Sequence, residues 1–108
     1  MPDIIIGERC SGKTTELIKR SHETGSYIVV ANKVMATCIF QNALSMGLQI
    51  PFPITIREYL SSGSYRHNSV LIDEFDLVLH AIFDFNNVDA ITLTKRDYEN
   101  VIYLKSKK

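Results

Sequence analysis

Short apolar runs recur along the chain, and each is closed by a residue that breaks it. Asp3-Ile4-Ile5-Ile6 stops at Gly7. Tyr27-Ile28-Val29-Val30 runs up to Ala31-Asn32, and Val70-Leu71-Ile72 stops at Asp73-Glu74. Runs this short, apolar throughout instead of alternating, fit strands buried on both faces of a parallel sheet. Ile54-Thr55-Ile56, Ala90-Ile91-Thr92-Leu93-Thr94 and Val101-Ile102-Tyr103-Leu104 read as further strands.

Between these runs the period becomes helical. From Thr14 to Glu23, Leu17 and Ile18 share one face while Glu16, Lys19, Arg20 and Glu23 point outward, and Gly25 stops the helix. Asn32 is placed to cap a helix reaching Met46, with Val34, Cys38, Ile39 and Ala43 as its inner face and Gly47 as its end. Pro51-Phe52-Pro53 is a rigid connector. Arg57-Glu58-Tyr59-Leu60 is a short helix, and Phe75 to Phe83 a longer one. Ser61-Ser62-Gly63-Ser64 is the most flexible-looking stretch, and Asn86-Asn87 marks a turn. Strands alternating with helices predict an α/β fold of three layers, with a mainly parallel central sheet flanked by helices. A length of 108 residues fits one domain spanning residues 1–108. In such sheets ligands sit at the carboxyl ends of the strands.

That expectation directs attention to two strand ends. After the first run comes Gly7-Glu8-Arg9-Cys10-Ser11-Gly12-Lys13-Thr14, which spells G-x-x-x-x-G-K-[ST] and opens directly into the first helix. Glycines let the backbone turn tightly, so that successive N–H groups point into one concavity beside the positive end of the helix. Gly7, Glu8, Arg9, Cys10, Ser11, Gly12, Lys13, Thr14 and Thr15 are therefore the candidate nucleotide-binding residues. Lys13 would reach the terminal phosphates, and the Thr14 hydroxyl would bind Mg²⁺. Four constrained positions match by accident in about one chain in a hundred or fewer, so the motif outweighs a chance turn. The third run delivers Asp73 to a strand end as a second Mg²⁺ ligand. The adjacent Glu74 becomes a candidate general base for an attacking water. Acids also favour the first turn of a helix, which is the structural alternative for this pair.

Together the two motifs resemble the P-loop ATPases that carry an additional catalytic glutamate, the group of helicases, RecA-like proteins and AAA-type ATPases. As a small stand-alone chain of this sort it resembles the accessory ATPases encoded by bacteriophages. The resemblance covers element order over most of the chain and is specific at the two motifs. It implies ATP and Mg²⁺ as ligands, ATP hydrolysis, and a function in DNA replication or processing. It also implies that a polar residue ending the next strand contacts the terminal phosphate. Thr94 fits that place, with Thr92 on the same strand face. Helicases complete the site with an arginine from a second core. Here that implies a second subunit or protein partner, with Arg57, Arg66 and Arg96 as candidates.

Alternatives stand beside this reading. Thr94-Lys95-Arg96-Asp97 looks like a guanine-recognition motif, but GTPases have D-x-x-G starting at the strand-end aspartate, and from Asp73 the glycine position here is Asp76. Ser11 to Ile18 is similar to the start of thymidine kinases, which carry a four-cysteine zinc site that two cysteines, Cys10 and Cys38, do not match. A nucleotide-binding regulatory module with little hydrolysis is the third.

Composition narrows the picture further. Apolar residues make up 45%, enough for a packed core. The formal net charge of +0 gives no support to bulk nucleic-acid binding, and the Lys105-Ser106-Lys107-Lys108 tail reads as a solvated end. Tyr59 and Tyr65 beside Arg57 and Arg66 form an aromatic and basic mixture able to stack on bases. His22, His67 and His80 have no metal-ligand spacing. Neither a signal peptide nor a membrane span is expected, and a cysteine inside the phosphate loop suits a reducing cytoplasm.

Overall fold

A computed structural model describes residues 4–7, 12–65, 69–83, 87–90, 92 and 101–104. The elements follow in the order β1 (Ile4–Gly7), α1 (Lys13–Thr24), β2 (Tyr27–Val30), α2 (Lys33–Ser45), β3 (Ile54–Thr55), α3 (Ile56–Ser61), a 3₁₀ turn (Gly63–Tyr65), β4 (Val70–Ile72), α4 (Phe75–Ile82) and β5 (Val101–Leu104). β2 lies at the centre of a three-stranded sheet, parallel to β3 on one side and to β4 on the other. β1 pairs with β5, also in parallel, Gly7 lying opposite Leu104.

The alternation of side chains along β2 explains why helices cover both faces of this sheet. Ile28 and Val30 point into a cluster with Leu17 and Ile18 of α1 and Ala36, Ile39 and Ala43 of α2. Val29 points the other way, into a cluster with Ile54, Ile56 and Val78 from the α3 and α4 side. The result is a small α/β unit with a three-stranded parallel sheet flanked by helices.

α1 buries Leu17 and Ile18 as its periodicity requires, and Ser21 with them. The Ser21 hydroxyl donates to the Ser26 carbonyl at 2.7 Å, which offsets its burial. Gly25 ends the helix at φ 75, and its N–H donates to the Ser21 carbonyl at 2.8 Å. Asn32 caps α2, its side chain accepting from the Met35 N–H at 3.0 Å.

Several expectations are corrected. The inner face of α2 is Ala36, Ile39 and Ala43, whereas Val34 is 73% exposed and Cys38 is also exposed. Val34 and Cys38 lie one turn apart on a neighbouring stripe, and small Ala36 lets the helix approach the sheet instead. Ile56 begins α3 and does not extend β3, because Thr55 and Glu58 form a reciprocal capping box that turns the chain into helix. Residues 88–90 and 92 have no strand conformation. The remainder of the strand expected over 90–94 lies outside the described residues. In the serine-rich stretch after Leu60, Ser61 ends α3 and Gly63–Tyr65 form the 3₁₀ turn.

Candidate functional site

Parallel pairing sends the strand ends of β2, β3 and β4 to the same edge of the sheet. The Asp73 N–H donates to the Val29 carbonyl at 3.1 Å, extending the β4 ladder by one residue, so Asp73 is held by backbone at that edge. Its side chain is only 5% exposed. Burial, and next the negative charge of Glu74, push the Asp73 carboxyl above its ordinary range. The Thr14 hydroxyl and the Lys13 ammonium act in the opposite direction.

The contact with Thr14 joins the two sequence motifs. Its hydroxyl donates toward the Asp73 carboxylate, lying 3.3 Å from Oδ1 and 3.4 Å from Oδ2, across 59 residues of chain. Thr14 is in place because α1 starts at Lys13, immediately after Gly12. Gly12 holds φ 94, a left-handed conformation that a side chain would strain, so the sharp entry into α1 depends on glycine. Lys13 Nζ donates to the Gly7 carbonyl at 2.7 Å and so ties the start of α1 to the end of β1.

Glu74 follows with φ 53 and ψ 66, the one positive φ outside glycine among the described residues. It is the N-cap of α4, yet its side chain makes no capping hydrogen bond. The helix-start alternative therefore holds for the backbone of Glu74 and not for its carboxylate. Strain of this kind costs about 1 kcal/mol and concentrates at functional positions. Asp76 is exposed in the first turn of α4, the helix-start position.

Gly7, Gly12, Lys13, Thr14, Thr15, Asp73 and Glu74 thus fall among the described residues. The Thr14–Asp73 contact joins the two motifs. Glu8, Arg9, Cys10, Ser11, Thr94, the Thr94–Asp97 motif, Arg66 and His67 lie outside the described residues, as does the Tyr65 side chain. Tyr59 is partly buried against the cluster around Val29 and Val78, and Arg57 is exposed. His22 accepts a structural role, its Nδ1 lying 2.8 Å from the Gln49 carbonyl.

Lys33 and Glu58 were not singled out by motif. They pair at 2.9 Å between the starts of α2 and α3, close to the same strand ends. The lysine and the capping contacts with Thr55 hold the Glu58 carboxyl below its ordinary range. The T-x-x-E spelling of Thr55 to Glu58 was the available signal for the cap. An open groove of about 480 Å³ lies at the opposite end of β4, lined in part by Glu16, Arg20, Glu23 and Ser69. Its Arg20 is paired with Glu16 at 3.2 Å, and two carboxylates make it a poor phosphate site.

The burial of Asp73 gives a pH prediction. A carboxyl whose folded pKa is raised favours the folded state when protonated. Its effect on stability is therefore most favourable below the unfolded value near 3.8, declines as pH rises through the folded value, and then levels. Asp73→Asn should remove this decline and make the ligand-free protein more stable near pH 7. Denaturant unfolding of both forms from about pH 4 to pH 7 measures the difference. Parallel curves would mean that ionised Asp73 is fully compensated in the fold.

Comparison of the chain with protein-family models, curated proteins and solved structures finds no match. Among the described residues no helix is long and apolar enough to cross a membrane. None of their His, Cys, Asp and Glu side chains gather in threes as a metal site.

Proposed function

We propose that this chain binds ATP with Mg²⁺ at the carboxyl edge of its sheet, in a P-loop fold of the additional-catalytic-glutamate group, and hydrolyses it slowly or under stimulation by a partner. The observation that carries the reading is the Thr14–Asp73 contact, which joins the hydroxyl of one motif to the buried carboxylate of the other. On this reading the backbone from Gly7 to Gly12 cradles the phosphates. Lys13 exchanges its bond to the Gly7 carbonyl for the β- and γ-phosphates. The first N–H groups of α1 and its positive end face the same anion.

The residues present fit Mg²⁺. Asp73 and Thr14 offer hard oxygen donors, and Mg²⁺ needs few protein ligands because phosphates and water supply the rest. A carboxylate destabilised by burial gains from a nearby cation. Bound there, Mg²⁺ supplies neutralisation of phosphate charge. Glu74 then orients and deprotonates the attacking water, a role that explains a left-handed glutamate free of capping duty. By the resemblance, the activity serves DNA replication or processing of the bacteriophage type, and a second subunit or protein partner completes the site.

Phosphate release from ATP, with and without single-stranded DNA and with GTP as competitor, tests the proposal. Mg²⁺-dependent release with ATP preferred over GTP is expected. Tight binding without turnover would identify a regulatory module instead, and phosphate transfer to a nucleoside a kinase. Absence of nucleotide binding removes the proposal altogether.

A further inference from the structure

Two helices cover the face of the sheet that carries Ile28 and Val30, and each begins with a lysine. Lys13 opens α1 and Lys33 opens α2. α1 leads down into β2 and α2 starts where β2 ends, so both helices begin at the carboxyl edge of the sheet. They pack side by side, with axes about 8–10 Å apart at the usual spacing of touching helices. β4 adjoins β2, which places Asp73 about 4.8 Å across the edge from the end of β2. Lys33 and the Thr14–Asp73 contact therefore lie on one short stretch of that edge, on the same face.

Lys33 is held to one side of this stretch. Its Nζ lies 2.9 Å from Glu58 Oε1, toward β3 and away from β4. The two side chains are 67% and 39% exposed, so the pair adds little stability and exchanges readily. Glu58 does not depend on the lysine for its place. The same Oε1 accepts from the Thr55 N–H at 3.1 Å, and the Glu58 N–H donates to the Thr55 hydroxyl at 3.2 Å. The cap of α3 is kept if Lys33 leaves.

We infer that Lys33 is a second cationic residue of the nucleotide site, which leaves Glu58 for the terminal phosphate of a bound nucleoside triphosphate. The inference rests on the nucleotide reading above and adds to it a residue that no motif marks. Charge argues for it. In the site as built from the two motifs, the described side chains supply two carboxylates, Asp73 and Glu74, and one ammonium, Lys13. A terminal phosphate adds more negative charge beside both carboxylates. An ammonium on a flexible four-carbon stem, anchored at the neighbouring helix start, meets that charge. It also stabilises the phosphoryl group in transfer, where charge builds up. A nucleoside diphosphate lacks the group that draws Lys33 across and leaves it on Glu58. Lys33 thus tells triphosphate from diphosphate.

Calorimetric titration of the full chain with a non-hydrolysable ATP analogue and with ADP, each with Mg²⁺, tests this. Lys33→Ala should weaken the analogue about tenfold and leave ADP within about twofold. Glu58→Gln keeps an oxygen for the Thr55 N–H and removes the charge that holds Lys33. It should tighten the analogue by about twofold or more and leave ADP unchanged. ADP affinity reports in both variants whether the site is still folded. Equal losses for the two nucleotides in Lys33→Ala would make the lysine structural and overturn the inference. So would an analogue affinity that Lys33→Ala does not change, or one that Glu58→Gln fails to raise. A wild-type chain that binds neither nucleotide removes the nucleotide reading and this inference with it, whereas failure in the variants alone removes only Lys33.

Discussion

Lys13→Ala should weaken ATP binding by about 100-fold or more. Two charge-assisted hydrogen bonds from the ammonium to phosphate, at about 1.5 kcal/mol each, set that scale. The cost to the ligand-free protein should be far smaller. There Lys13 makes a partly buried bond to the Gly7 carbonyl at 2.7 Å, whose loss is worth about 1 kcal/mol. The two effects separate cleanly. Titration calorimetry with Mg·ATP reads the first, and denaturant unfolding without nucleotide reads the second. Wild-type affinity in the variant would remove Lys13 from the site and the phosphate-loop assignment with it. A variant that lost stability and affinity in equal measure would make the lysine a strut between β1 and α1.

Glu74→Gln should leave ATP affinity near the wild-type value and slow hydrolysis by about 10²- to 10³-fold, the range for removing a general base. Glutamine keeps the shape of the side chain and the left-handed backbone while abolishing proton acceptance. A companion substitution isolates the strain. Glu74→Gly should lose turnover equally yet raise stability by about 1 kcal/mol, because glycine adopts φ 53 without penalty. Greater stability together with lost activity is the signature of a residue kept for chemistry at a structural cost. Collapse of ATP binding in the glutamine variant would instead give Glu74 a structural role, and undiminished turnover would pass the base to another group.

Much of the architecture was legible locally. The apolar runs at residues 4–6, 27–30 and 70–72 are strands, and in the central one, β2, burial on both faces leaves no room for alternation. Leu17 with Ile18, the Asn32 cap and Gly25 place and end their helices through neighbours a few residues away. The α2 face was not legible in the same way. Val34, Cys38, Ile39 and Ala43 satisfy a helical period, but which of two adjacent stripes meets the sheet depends on how close the helix can approach. Ala36 decides that in favour of its own stripe. Ile56 likewise looked like strand until the Thr55–Glu58 cap is counted.

The division for the candidate site is similar. The residues and their spacing by themselves singled out the candidates for phosphate and cation chemistry, because Gly12, Lys13, Thr14, Asp73 and Glu74 stand out by type and by position at the ends of apolar runs. Only the tertiary structure decided that Thr14 and Asp73 meet at 3.3 Å, that Asp73 is buried, and that Glu74 is left-handed. The order of strands in space is set by packing between segments remote in sequence. Placing β4 beside β2, and with it Asp73 beside Thr14, is a choice that no local pattern encodes.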